Sequence, residues 1–126
     1  MYSITVDTTN KLLRVKLSGF LMADEVKAFG NEVQVMVANL GYRSGEHSML
    51  VDTSECTLQA QEVVACFQHV IASAPIKSRR IAVVTGSSLS RMQTRRILVR
   101  DQAMMFDSAI DAEHWVLTGN AGEIAA

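Results

Sequence analysis

The chain has 126 residues, enough to bury a core as one domain without disulfide or metal staples. Hydrophobic residues make up 48% and charged residues 20%, a balance that excludes a disordered chain. A net charge of −1 excludes a strong pull of the whole molecule towards nucleic acid, and no stretch approaches the ~20 apolar residues of a membrane span.

Tyr2-Ser-Ile-Thr-Val6 alternates apolar and polar side chains, as a half-buried strand does. Asp7-Thr-Thr-Asn10 is turn chemistry and the alternation resumes over Leu12–Leu17, so the chain is predicted to open with a β-hairpin. The same alternation stands where a signal peptide would place a charged head and an apolar run, so a cytoplasmic protein is expected. Gly19 breaks the strand. Val26, Phe29, Val33, Val37 and Leu40 recur at helical spacing, with Lys27, Glu32 and Gln34 pointing elsewhere, which predicts a helix over Met22–Leu40 ended by Gly41.

Ser48-Met-Leu-Val51 predicts a short central strand, with Asp52, Thr53 and Ser54 at its carboxyl end and Cys56 in the loop beyond. Val63, Phe67, Val70 and Ile71 give a helix over Leu58–Ala74 its apolar face, with Cys66 as a small core residue. Pro75, the one proline, stops it. Arg80–Val84 is a buried strand, Gly86 turns the chain, and Ser87 or Ser88 caps a helix carrying Arg91, Arg95, Arg96 and Arg100. Ala103–Phe106 is a fifth strand. Asp107 or Ser108 caps a last helix, Ala109–Leu117, with Ile110 and Trp115 as core anchors, and residues 118–126 are expected to fray.

Strands alternating with helices after a hairpin predict an α/β fold: one domain over residues 1–126, a mixed five-stranded sheet with four helices, and βαβ crossovers. That order, over residues 2–117, resembles the SpoIIAA-like group, the fold shared by anti-sigma-factor antagonists, STAS domains and the lipid-binding part of Sec14-type proteins. Two stretches carry the resemblance further: Arg80-Ile-Ala-Val-Val-Thr-Gly86 running into a polar helix, and Phe106-Asp-Ser-Ala-Ile-Asp-Ala-Glu-His-Trp-Val116. Anti-sigma antagonists carry an Asp-Ser-Ser-Gly-like phosphoacceptor at the start of the helix after the third strand. Here the region reads Asp52-Thr-Ser-Glu-Cys-Thr-Leu-Gln-Ala-Gln-Glu62, without that motif or its glycine, which speaks against a phosphorylation switch. The resemblance instead implies small-ligand binding and membrane association.

Thr85, Gly86, Ser87 and Ser88 sit where a parallel strand turns into a helix, and ligands on open α/β sheets gather at the carboxyl ends of strands. The serines read either as plain helix caps or, with Arg91 closing over them, as a seat for a phosphate or carboxylate. Asp52, Thr53 and Ser54 are expected to face the same crevice, Asp52 either as a loop cap or as a base. No Gly-x-Gly-x-x-Gly or Walker lysine supports a nucleotide, and no Gly-x-Ser-x-Gly supports a triad. His47, His69 and His114 are scattered, and the two cysteines lack ligand spacing. No metal, no cofactor and no catalytic set is expected.

From Val63 to Arg100 there is no Asp or Glu, while 7 of the 12 basic residues lie there, so a positive field follows if their side chains share a surface. On a helical wheel Arg96 falls in one stripe with Leu89, Met92 and Val99. Either it snorkels along the sheet, or it lines a pocket, or the helix exposes apolar and basic groups together. The last would suit an anionic bilayer surface met by Arg95, Arg96 and Arg100. The sequence thus predicts a non-enzymatic binding domain for a small anionic or lipid-like ligand, or for a membrane surface touched peripherally. The alternative is a regulatory module for a protein partner. No nucleic acid is expected, and exposed apolar residues on the third helix are compatible with a homodimer.

Overall fold

A computed structural model describes residues 1–120, and at 88 and 89 the backbone alone. The hairpin forms as the alternation requires: β1 (Tyr2–Asp7) pairs antiparallel with β2 (Leu12–Gly19). Asp7 shapes the turn, accepting from the backbone N–H of Asn10 at 3.1 Å and from its side-chain amide at 2.8 Å. Then α1 (Ala23–Asn39), β3 (Ser48–Cys56), α2 (Gln61–Ser73), β4 (Ile81–Val84), α3 (Ser88–Ile97), β5 (Ala103–Phe106) and α4 (Ala109–Thr118) follow. The sheet order is β1-β2-β3-β4-β5, and every pair after the hairpin is parallel. This is the predicted mixed five-stranded sheet with four helices.

The two-residue period of the strands divides the core. Leu13, Val15, Met49, Val51, Ile81 and Val83 face one layer, against α1 and α2, with Leu98 packed at its edge. Leu12, Ala82 and Val84 face the other, where α4 lays down Ala112, Trp115 and Val116. The helices α1 and α2 come close because Gly30 has no side chain: a Cβ there would lie 2.7 Å from a methyl of Val70. Arg80, just before β4, points to the α4 layer. Its guanidinium is buried and donates to the carbonyls of Val116 at 3.0 Å and Leu117 at 3.3 Å, capping the negative end of that helix.

Four expectations need correcting. The strand β3 runs on to Cys56, so Asp52, Thr53 and Ser54 lie inside it rather than beyond it. No apolar alternation marks these residues; β2 pairs with Asp52 and again with Glu55 and Cys56, which holds the strand on both sides of the irregularity at Thr53 and Ser54. Cys56, expected in a loop, ends the strand half-buried against the core. Ile110 is no anchor: it is 81% exposed, because the face of α4 that carries Ala112, Trp115 and Val116 lies on the far side of the helix. Finally, α3 stops at Ile97, so Arg100 is not on it. Of the expected frayed tail, residues 121–126 lie outside the described residues, while Gly119 ends α4 in the left-handed region (φ 74°).

Candidate functional site

Between the sheet and the layer of α1, α2 and α3 lies a cavity of about 150 Å³. Its walls are mostly apolar: Met49, Val51 and Val83 from the sheet, Val33 from α1, Phe67 and Val70 from α2. The space is left because α3 is a poor lid. Towards the cavity it presents Ser90, Gln93 and Thr94 before Ile97 and Leu98, and none of its described side chains is buried. Gln93 ties the helix to the Gln59 backbone, while Ser90 and Thr94 bond within the helix and its cap, and none of the three fills the volume beneath.

Glutamine amides line both ends. At the carboxyl ends of the strands, Gln59 Oε1 accepts from the N–H of Leu21 at 2.7 Å, and its Nε2 donates to Gly19 O at 2.9 Å and Thr57 O at 2.6 Å. The side chain of Gln93 pairs with both backbone groups of Gln59. At the amino ends, Gln34 reaches from α1 to exchange two hydrogen bonds with the backbone of Ile76, at 3.0 and 3.1 Å. Gln34 therefore turns towards the core layer, against expectation.

The amino end also carries the charge. Ser78, which precedes β4, and Arg100, which precedes β5, both line the cavity. Arg100 donates through Nη2 to Ser78 O at 2.7 Å and through Nε to its neighbour Asp101 O at 3.0 Å. Burial pushes its pKa down, while Asp101 pulls it up. Behind Ser78 sits His47, buried, with Nε2 3.0 Å from the Ser78 hydroxyl and its ring stacked on Tyr42. Among the described residues, His47 Nδ1 has no hydrogen-bond partner. Burial, and then Arg100, hold His47 below the usual imidazole range. At the other end Cys56 lines the cavity, and burial pushes its thiol up, away from reactivity.

The predicted seat at residues 52–54 and 85–91 is not assembled. Alternation sends Asp52 and Thr53 to opposite faces. The Asp52 carboxylate accepts from the Ser54 N–H at 2.9 Å and hydroxyl at 2.6 Å, while Thr53 lines the cavity and donates to Val84 O at 2.7 Å. Gly86 lies directly against strand β3, where a Cβ would come within 2.8 Å of Ser54 O, so packed backbone occupies the expected crevice. Thr85 is buried and its N–H goes to Phe106 O at 3.0 Å. Ser87 is the helix cap, accepting from Ser90 N at 3.1 Å. The side chain of Ser88 lies outside the described residues. Arg91 turns away to pair with Asp107.

The basic block is dispersed as well. Lys77 caps α2 through the carbonyls of Ile71 and Ala72, Arg80 caps α4 on the other face, and Arg100 turns inward. Arg95 and Arg96 remain on the exposed face of α3 with Met92, and Val99 is exposed just beyond it. Of the stripe containing Arg96, Met92, Arg96 and Val99 thus face water. Sequence reasoning missed Gln34, Gln59, Gln93 and Ser78, since a polar residue gives no sign of which backbone it will reach. Of the expected residues whose side chains are described, Thr53 and Arg100 alone line the cavity.

Among the described residues no group of three or more His, Cys, Asp or Glu could hold a metal ion, and no helix is long and apolar enough to cross a membrane. No family model matches the chain, and no curated protein matches it. Among solved structures, it is similar to an uncharacterised protein of the DUF3478 family with a SpoIIAA-like fold from Shewanella loihica PV-4. The TM-score is 0.70 at 17% identity, over 91% of this chain and 93% of that one. Strand order, the helix layers and this likeness agree: the chain has a SpoIIAA-like fold.

Proposed function

We propose that this protein binds the apolar part of a small amphipathic molecule between its sheet and α1–α3, without transforming it. The observation that supports this reading is the cavity itself: about 150 Å³ of apolar-walled space beneath a helix held mainly by hydrogen bonds. A well-packed core has few voids larger than a water molecule. A dry cavity of this size takes a group of about benzene's bulk. Titration with hexanol, followed by NMR, tests it. Ile97→Trp puts an indole into the space and should weaken binding by about tenfold or more while the protein stays folded, since a filled cavity has no room for the alcohol. Undiminished hexanol binding in that variant would sink the reading.

A second reading rests on a separate observation. Phe20, Leu58 and Met92 are exposed, and each adjoins a residue of the Gln59 network, namely Leu21, Gln59 and Gln93. Arg95 and Arg96 are exposed on the same helix as Met92. Apolar side chains with arginines beside them suit the headgroup region of an anionic bilayer, at ~1 kcal/mol per basic residue. Binding should be weak, salt-sensitive and lost on charge reversal of Arg95 and Arg96. Equal co-sedimentation with anionic and neutral vesicles contradicts it.

A further inference from the structure

Each cation of the acid-free segment has a visible settlement except one. Lys77 and Arg80 cap helix ends, Arg91 pairs with Asp107, and Arg79, Arg95 and Arg96 stand in water. Arg100 is half-buried, lines an apolar cavity, and forms no ion pair with a carboxylate among the described residues. Two neutral carbonyls occupy two of its five N–H groups. The Asp101 carboxylate acts on Arg100 without pairing with it, and His47, a buried ring, brings no negative charge. A guanidinium half withdrawn from water on these terms is stabilised by an anion that shares the site. The contrast with Arg80 is instructive: that side chain also lacks a carboxylate, but it meets the carbonyls that carry a helix's negative end.

We propose that the occupant of the cavity is a small monocarboxylate, its carboxylate paired with Arg100 at the amino ends of the strands and its hydrocarbon among Val33, Val70, Val83 and Ile97. The pairing uses the free edge of the guanidinium, whose planar fork matches a carboxylate. The proposal rests on the cavity reading above and adds the head group, its anchor and its orientation. It places the anion at the end of the sheet opposite to the glycine turn where helix-capping serines would suggest one.

The test compares hexanoate, hexanol and hexylamine on the full chain by NMR titration. Hexanoate should bind about tenfold more tightly than hexanol, as a charge-assisted hydrogen bond allows, and hexylamine should bind most weakly. Arg100→Gln should abolish the preference for hexanoate over hexanol, while Arg96→Gln should preserve it. In the unsubstituted protein the Nη–H resonances of Arg100 should move with hexanoate and stay with hexanol, a readout that needs no variant to fold. Hexanoate binding no better than hexanol, a preference that survives Arg100→Gln, or an unmoved Arg100 signal would each overturn the carboxylate proposal and leave the cavity reading standing. Failure of all three compounds to bind would remove both.

Discussion

The side-chain amide of Gln93 pairs with both backbone groups of Gln59: the Gln59 N–H donates to Oε1 at 3.0 Å, and Nε2 donates to the Gln59 carbonyl at 2.8 Å. This contact ties α3 to the loop before α2 and does the work that apolar burial does for α1. Gln93→Leu keeps the size and leaves two partly buried backbone groups without partners. It should cost about 1–2 kcal/mol in chemical denaturation. Amide exchange should quicken in residues 88–97 and not in α1, because α1 buries five residues of its own. Uniform quickening would show that α3 is not separately held.

Gly86 is set by packing rather than by a ligand. Its backbone lies so close to Ser54 that a Cβ would stand 2.8 Å from a carbonyl oxygen, and that oxygen belongs to a strand that cannot swing aside. Gly86→Ala should therefore destabilise the protein by about 1–3 kcal/mol, the usual range for an overpacked site. A neutral substitution, measured by urea denaturation, would mean that the two segments are not packed backbone to backbone.

Acid should weaken the fold through His47. Burial, with Arg100 second, lowers its pKa in the folded protein, so above the ordinary imidazole value of about 6.5 both states are neutral and no penalty exists. Below that value the unfolded chain takes up a proton that the folded protein refuses. Stability then falls, by at most about 1.4 kcal/mol per pH unit, until folded His47 itself titrates. Asp7, held low by Asn10, and Glu25, held low by the N-terminal ammonium, lose their contributions only at more acid pH. Denaturation curves between about pH 7.5 and pH 5.5 should show the fall in the parent and a flatter response in His47→Gln. An equal slope in both would assign the effect elsewhere.

What could be read from the sequence followed the hydrophobic period. Alternation gave β1 and β2, helical spacing gave α1, and an apolar run of β-branched residues gave β4, each close to its observed bounds. Where the period fails, so does the reading. The second half of β3 is polar and stays extended because β2 pairs with it, a tertiary cause that leaves no local mark. Met92 on α3 and Val99 just beyond it face water, and the inner side of the helix carries Ser90, Gln93 and Thr94, of which Gln93 is fixed by its hydrogen bonds to Gln59. The cavity was invisible for the same reason: a void is a sum of side-chain volumes across four elements. Arg100 stood out as one of too many arginines, but its inward turn depends on α3 ending three residues earlier.

Methyl spectra recorded during hexanol titration test the central claim most directly, since the sheet separates two apolar layers within one molecule. Binding in the cavity predicts shifts for Val33, Val70, Ile97 and Leu98, while Val84 and Val116 on the α4 side stay in place. Absent shifts, or shifts confined to the α4 side, would contradict it.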